Sequence, residues 1–479
     1  MPDQQADAHA ASQLPAVAPP TELTRKQIES LEGIYGNRYL LEPAPDNKLP
    51  KAGMSAEEAL GLVQQEMVLD GLPMRNLATF VTTWMEPEAD QLINESLRVN
   101  FIDHAEYPQS AEIEQRCIRM LADLFNAPGE TTGTRTQGSS EAIMLGALSL
   151  KWKWRDRRQA AGKSVDRPNL VFGGDVHVVW DKFCRYFDVE MREIPCEGSR
   201  LMMTPDEVLK RCDENTIGVV PTLGLTYTLV YEPVEDVVKA LDDLQQRQGF
   251  DIPVHVDGAS GGFIAPFIHP SVVCDFRLPR VKSINASGHK FGLAPLGCGW
   301  AIWRDAQDLP EELIFDVKYL GGDMPTFALN FSRPGGQIAA QYYNFVRLGR
   351  SGYAKITYGC EEVGIWLAEE LNKFDIFEII YDGRGGIPGC TWTLKNGSHP
   401  NFTLYDLSDR LRLRGWQVPA YPMPENRTDL VVQRVLARLG LSRDLAGLLL
   451  DDLERAIHHF EKHPSPKSTT HEDAGGYHH

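Results

Sequence analysis

The chain has 479 residues, 42% hydrophobic and 24% charged, and a formal net charge of −18. That length predicts two or three domains of an ordinary globular protein. The acidic balance excludes nucleic acid or an anionic membrane surface as the main partner, since both call for clustered Lys and Arg, and no apolar run reaches the ~20 residues that span a bilayer.

The first twenty residues are rich in Ala, Gln and Pro and lack the basic start and apolar core of a secretory signal. They read as a disordered lead-in, and the protein is placed in the cytoplasm. Eight scattered cysteines without a Cys-x-x-Cys pair fit this, and buried thiols are expected instead of a disulfide framework or a metal site. Glu22 to Leu31 can form a short helix, and Leu41 to Ala52 reads as a Pro-rich linker. Ser55 with Glu58 three residues on is a capping box ahead of Ala59, Leu60, Val63 and Met67. Residues 1–74 are thus expected as an N-terminal segment.

From about Leu77 helical patterns alternate with short apolar runs. Asn169-Leu-Val-Phe-Gly, Ile217-Gly-Val-Val-Pro-Thr, Ile252-Pro-Val-His-Val-Asp and Ser283-Ile-Asn-Ala predict buried parallel strands, and Gly299-Trp-Ala-Ile-Trp a neighbouring strand. Helices are expected from Ser140 to Arg158 and from Val234 to Gln248. The basic run Lys151-Trp-Lys-Trp-Arg-Asp-Arg-Arg158 reads as a solvated helix face with buried tryptophans. The class is α/β with a mostly parallel sheet, whose ligands sit beyond the carboxyl ends of the strands. A large domain is expected over 75–352 and a small α+β domain over 353–463. The latter holds a helix ending near Leu371, strands at Thr391 and Leu430, and a last helix from the N-cap Ser442 to Lys462. Residues 464–479 read as a flexible tail.

The densest chemistry lies between Ile252 and Gly299. Ser287-Gly-His-Lys290 ends one strand. His255-Val-Asp257-Gly-Ala-Ser-Gly-Gly262 ends another, and a separate Gly138-Ser-Ser140 turn opens a strong helix. Singly these have plainer readings: a solvated lysine, a turn aspartate, an N-cap. Together they meet the needs of pyridoxal 5'-phosphate. Lys290 supplies an amine for the aldehyde, and Asp257 a carboxylate that raises the pKa of the ring nitrogen. Ala259 is small enough to lie under the ring, and His177 can stack on its other face. Ser139 and Ser140 lie where a phosphate meets a helix N-terminus. His289 can touch the phosphate or pass a proton.

The motif Ser287-Gly-His-Lys290 with Asp257-Gly-Ala upstream resembles the group II pyridoxal-phosphate decarboxylases, and within them the bacterial glutamate decarboxylases. Supporting stretches include Asn76-Leu-Ala-Thr-Phe80, Ile102-Asp-His-Ala-Glu-Tyr-Pro-Gln-Ser110, Asn330-Phe-Ser-Arg-Pro334 and Leu411-Arg-Leu-Arg-Gly-Trp-Gln-Val-Pro419. The resemblance spans about Leu31 to His463. It implies an aspartate-aminotransferase-like large domain (fold type I), L-glutamate as substrate, γ-aminobutyrate as product, and a homo-oligomer, at least a dimer and in bacterial relatives a hexamer.

Carried over residue by residue, Lys290 resembles the cofactor-bound lysine and Asp257 the partner of the pyridine nitrogen. Ser139, Ser140, His289 and Ser332 match phosphate contacts, Ser332 from a neighbouring subunit. Thr226 matches a residue near the cofactor hydroxyl and the reacting carboxylate, and Arg434 the arginine that receives the α-carboxylate. Thr79, the Phe80 main chain and Asp103 match the pocket for the distal carboxylate. Some bacterial relatives carry glutamine where His177 stands, which leaves stacking intact and bears on proton handling. Asp103 is expected to share a proton with the substrate and favour mildly acidic pH. Because each turnover consumes a proton, a role in acid resistance follows. A residue on a loop near Tyr319 to Pro325, or Lys290, is expected to return a proton to the α-carbon. The tail, with His471 and Gly475-Gly-Tyr-His-His479, is either a plain disordered end or, as in related bacterial enzymes, a cover for the site at neutral pH. A decarboxylase of another amino acid, aspartate or an aromatic one, and a non-catalytic cofactor-binding oligomer are the competing readings.

Overall fold

The computed structural model describes residues 45–51, 53–317, 324–398, 400–463 and 470. The expected helix at Glu22 to Leu31, the histidine-containing tail and most of the loop from Tyr319 lie outside these residues. The chain divides after Leu72 into two units. In the first, α1 (Ala56–Met67) starts at the expected capping box: the Glu58 amide donates to Ser55 Oγ at 3.2 Å, and the Ser55 amide donates to Glu58 Oε2 at 2.9 Å. Its apolar positions Leu60, Val63 and Met67 are exposed.

In the second unit, α2 (Pro87–Ser96) and α3 (Pro108–Leu124) precede a sheet interleaved with helices. The chain order is β1 (Thr132–Thr136), α4 (Ser139–Ala160), β2 (Asn169–Gly173), α5 (Val179–Tyr186), β3 (Glu190–Ile194), α6 (Pro205–Arg211), β4 (Thr216–Val220), α7 (Val234–Gln248), β5 (Val254–Gly258), the single-turn α8 (Ala265–Ile268), β6 (Val281–Ala286) and β7 (Gly299–Trp303). The seven strands lie in the order β1-β7-β6-β5-β4-β2-β3. Only β7 runs against the others, pairing antiparallel with both β1 and β6. The predicted runs at Asn169, Ile217, Ile252 and Ser283 are its parallel strands, fully buried on both faces in β2, β4 and β5.

Two strands escaped the sequence pattern. β1 reads Thr-Gly-Thr-Arg-Thr, with no apolar run, yet Arg135 is fully buried. Its guanidinium donates to the Gly297 carbonyl at 2.9 Å and its amide to Glu114 Oε1 at 2.6 Å, so hydrogen bonds replace apolar packing. β3 lies at the sheet edge and shows Glu190 and Met191 to solvent.

A hairpin, β8 (Phe315–Val317) with β9 (Met324–Thr326), leads to α9 (Gly336–Leu371). This helix starts well before the expected Tyr353. It kinks at Gly349, whose φ of 56° and ψ of −174° interrupt the helical run. β10 (Phe377–Tyr381), β11 (Gly389–Leu394), α10 (Leu404–Arg412), β12 (Ala420–Pro422), β13 (Val431–Leu436) and α11 (Arg443–Lys462) follow. The four strands form an antiparallel sheet, β10-β11-β13-β12. It packs around Trp392, Trp416, Leu407 and Leu453. Ser442 caps α11 by accepting from the Leu445 amide at 3.1 Å. The segment before α2 runs along this sheet: the Leu77 amide donates to the Gln417 carbonyl and the Leu436 amide to the Leu77 carbonyl. That contact brings Thr79 and Phe80 toward β13.

The basic run on α4 is less solvated than expected: Trp154 is buried, only Arg157 of its basic residues is exposed, Lys151 and Arg158 donate to the carbonyls of Phe187 and Glu214, and Arg155 lies 3.4 Å from the ring centre of a half-buried Trp152. All eight cysteines are free thiols, seven of them buried. Among the described residues no helix is long and apolar enough to cross a membrane.

The start of α4 is pressed against β7. A Cβ on Gly299 would lie 2.4 Å from the Gly138 carbonyl carbon. Gly299→Ala is therefore expected to cost about 1–3 kcal/mol through overpacking, seen as a lowered melting temperature. Gly129→Ala, with nothing within 4 Å of the added carbon, is expected to leave that temperature unchanged.

Candidate active site

The ends of three parallel strands, β2, β5 and β6, and the turn from β1 into α4 open on one cavity of about 520 Å³, lined in part by Gln137, Gly138, Ser139, Ser140, His177, Asp257, Ala259, His289 and Lys290. The groups arrive from several strand ends, as an open α/β sheet allows.

Asp257, near the end of β5, is 2% exposed. Three donors fix it: Trp180 Nε1 to Oδ2 at 3.0 Å, Asn285 Nδ2 to Oδ1 at 2.9 Å and the Ala259 amide to Oδ1 at 3.1 Å. The support continues along two neighbouring strands in register, with His255 opposite Ser283 and Asp257 opposite Asn285. Because Asn285 spends its amide on Asp257, its Oδ1 must accept from His255 Nε2 at 2.8 Å. His255 Nδ1 then accepts from Ser283 Oγ at 2.7 Å. Burial lowers the His255 pKa, consistent with this neutral tautomer.

Lys290 follows β6, and its ammonium donates to Ser260 Oγ at 3.2 Å. Desolvation brings its pKa down from 10.5 to about 8, with the Asp257 charge opposing and the Arg434 charge assisting. Nζ lies 4.8 Å from the centre of the Phe80 ring, and Arg434 Cζ lies 4.6 Å from the same ring. Arg434, on β13, is 6% exposed. It donates to the carbonyls of Thr226 and Ala78, the latter at 2.8 Å, and its Nε has no partner.

At the start of α4, Gly138 has no side chain to cap the helix, so the first amides of α4 have no intrahelical partner and face an anion site. Ser139 is buried and shares a 2.7 Å hydrogen bond with Ser287; Ser140 is exposed. A Cβ on Gly138 would stand 3.0 Å from His289 Cε1, so the turn and the histidine form one close-fitted cradle. The His289 pKa falls to about 4, through desolvation first and the Lys290 charge second. Its Nδ1 accepts from the Cys298 amide at 3.3 Å, so the neutral ring carries its proton on Nε2 and is a donor. His177 behaves alike: desolvation lowers its pKa, and Nδ1 accepts from the Val179 amide at 3.2 Å.

Of the residues expected from the sequence, the cavity gathers Ser139, Ser140, His177, Asp257, Ala259, His289 and Lys290. Phe80 and Arg434 adjoin Lys290. Thr226 is half-buried and adjoins Arg434 through its carbonyl, and Thr79 Oγ1 accepts from the Val81 amide at 3.3 Å. Asp103 and Ser332 do not line the cavity of their own chain: Asp103 accepts from the Glu106 amide at 3.2 Å, and Ser332 is exposed. Sequence reasoning missed Trp180, Asn285, Ser283 and Ser260. Asn285 was findable as a polar residue in an apolar strand run; Trp180 looked like simple core.

An amine, an opposing carboxylate and an uncapped helix N-terminus beyond the strands of a mostly parallel sheet define a pyridoxal-phosphate enzyme of fold type I. The donor set fits that cofactor: neutral His289, two serines and free amides for the phosphate, and a fixed acceptor for the ring nitrogen. Residues 56–390 match the model of the pyridoxal-dependent decarboxylase conserved domain, and the chain belongs to that family. It is 56% identical to a glutamate decarboxylase of Aliivibrio fischeri over 94% of this chain and 97% of the relative. It is 46% identical to glutamate decarboxylase 1 of Arabidopsis thaliana over 91% of this chain and 87% of the relative. The solved structure of a Lactobacillus brevis glutamate decarboxylase superposes with a TM-score of 0.87 at 43% identity, covering 90% of this chain and 98% of that one.

Competitive acetylation of the cofactor-free protein, read by mass spectrometry across pH, is expected to place the Lys290 midpoint at about 8, well below that of solvated lysines. Asp257→Asn removes the charge that raises it and is expected to lower the midpoint further.

Proposed function

We propose that the protein converts L-glutamate to γ-aminobutyrate and carbon dioxide, taking up one proton per turnover, with Lys290, Asp257 and Arg434 as the central groups. The supporting observation is the pair of cations over one ring: the Lys290 amine and the Arg434 guanidinium both lie within 5 Å of the Phe80 ring centre. Among the described residues Arg434 has no carboxylate at ion-pair distance. A buried guanidinium left without a counter-ion is a receptor for a carboxylate that arrives with the substrate.

Bound pyridoxal phosphate supplies an electron sink for the pair left behind when carbon dioxide departs. Lys290 would hold the aldehyde carbon, and its depressed pKa provides a usable fraction of free amine near neutral pH. Asp257, held by its three donors, would keep a proton on the ring nitrogen. His177 would lie against one face of the ring, Ala259 against the other. Ser139, Ser140, His289 and the α4 amides would hold the phosphate. Arg434 would bind the α-carboxylate and set the angle of the bond to be broken. Thr226 stands beside it, and Lys290 returns a proton to the α-carbon.

Glutamate as the substrate is supported by the relatives named above. Thr79, the Phe80 main chain and Asp103 are assigned to the distal carboxylate. That neither Asp103 nor Ser332 lines the cavity of its own chain supports a site completed by a neighbouring subunit, in at least a dimer and by extension a hexamer. Free, mostly buried thiols support a cytoplasmic location.

Purified protein with pyridoxal phosphate and glutamate is expected to release carbon dioxide and γ-aminobutyrate in equal amounts between pH 4 and 8, with aspartate and aromatic amino acids slower by about a hundredfold or more. Lys290→Ala is expected to abolish turnover while leaving the protein folded. Equal rates with aspartate would remove the substrate assignment. If Asp103 shares a proton with the substrate, Asp103→Asn flattens the decline of activity from pH 5 to 7. An unchanged profile would exclude that sharing.

A further inference from the structure

Asp175 lies two residues before His177, is 1% exposed, and plays no part in the chemistry above. We propose that Asp175 is a positioning residue for Arg434: it gathers the main chain of 226–228 and thereby turns the Thr226 carbonyl toward the guanidinium, setting the affinity for the substrate α-carboxylate. This rests on the assignment of Arg434 as the α-carboxylate receptor.

Three successive amides converge on Asp175. The Thr226 amide donates to its main-chain carbonyl at 3.3 Å, the Tyr227 amide to Oδ1 at 2.7 Å and the Thr228 amide to Oδ2 at 3.1 Å. The Thr228 hydroxyl adds a bond to Oδ2 at 2.8 Å. With its amides turned to Asp175, the segment presents the Thr226 carbonyl to Arg434 Nη1. The loop closes tightly behind, with the Leu225 amide donating to the Val230 carbonyl and the Leu229 amide to the Leu225 carbonyl. Leu229 has a φ of 68°, a left-handed conformation that a leucine adopts only when its surroundings impose it. The side chains tell the same story. The Tyr227 ring packs edge-on at 5.3 Å against Tyr421, whose ring centre is 5.8 Å from Arg434 Cζ.

The carboxylate is bound to neutral donors alone. Burial pushes its pKa from 3.8 to about 7, and the Arg434 charge is the cation that pulls it down. A buried acid of this kind is costly, and it serves as an acceptor for amides that would otherwise go unpaired. Arg434 itself is placed by carbonyls, Thr226 on one side and Ala78 on the other, with Nε free. Loss of one carbonyl therefore leaves its orientation unset.

Holoenzyme kinetics of Asp175→Asn, Thr228→Val, Arg434→Lys and the double variant Asp175→Asn/Arg434→Lys test this. Asp175→Asn is expected to raise KM for glutamate about tenfold and change kcat less than about threefold. Its inhibition constant for γ-aminobutyrate, which lacks the α-carboxylate, is expected to stay within about twofold, with bound-cofactor absorbance retained. Thr228→Val, which removes one hydroxyl, is expected to raise KM about two- to threefold. The double variant is expected to be no worse than Arg434→Lys alone, because both act on one receptor. Equal weakening of glutamate and γ-aminobutyrate, multiplicative effects in the double variant, or an unchanged KM in both Asp175→Asn and Thr228→Val would overturn the proposal. An Arg434→Lys variant with unchanged KM beside a raised KM in Asp175→Asn would instead remove the receptor assignment, and the proposal with it.

Discussion

The carboxylate of Asp257, at the end of a buried strand, is the constraint around which the site is arranged. Trp180, Asn285 and the Ala259 amide all donate to it, so its orientation is fixed. Its place depends on parallel register: a slip of one residue between β5 and β6 would point Asn285 away and leave the acid unsupported. The polar column from Ser283 through His255 and Asn285 runs between the buried strands β5 and β6. Such a column is stable only when every member is satisfied.

The histidines of the site follow a common rule. His177 and His289 each accept a main-chain amide on Nδ1, and desolvation lowers the pKa of each. Each neutral ring therefore carries its proton on Nε2, and the His289 value of about 4 keeps that ring a donor as the medium acidifies toward pH 5. The cationic groups are managed differently. Lys290 and Arg434 both lie within 5 Å of the Phe80 ring centre, whose negative π surface attracts cations, while the Arg434 charge helps to lower the Lys290 pKa.

Much of this was legible in the chain. The runs at Asn169, Ile217, Ile252 and Ser283 are parallel strands because helices cover both their faces, and that burial writes itself as continuous apolar sequence. Lys290, Asp257 and His177 were findable because each ends or follows such a run, and the Gly138 turn because it opens a strong helix. β1 was not, since it reads Thr-Gly-Thr-Arg-Thr, and Arg135, Thr134 and Thr136 are held by hydrogen bonds. The early start of α9 was hidden by Gly336, Gly349 and Gly352, residues that read as breakers; the helix runs through all three and kinks only at Gly349. Asp103 and Ser332 show the other limit: the resemblance names them as site residues, yet neither lines the cavity of its own chain.

The most direct measurement is the ¹⁵N resonance of the pyridine nitrogen in protein reconstituted with labelled pyridoxal phosphate. A protonated nitrogen at neutral pH in the native protein, reverting to the neutral form in Asp257→Asn, is expected if a fixed carboxylate governs the site. A neutral nitrogen in the native protein, or a signal indifferent to the substitution, would contradict it.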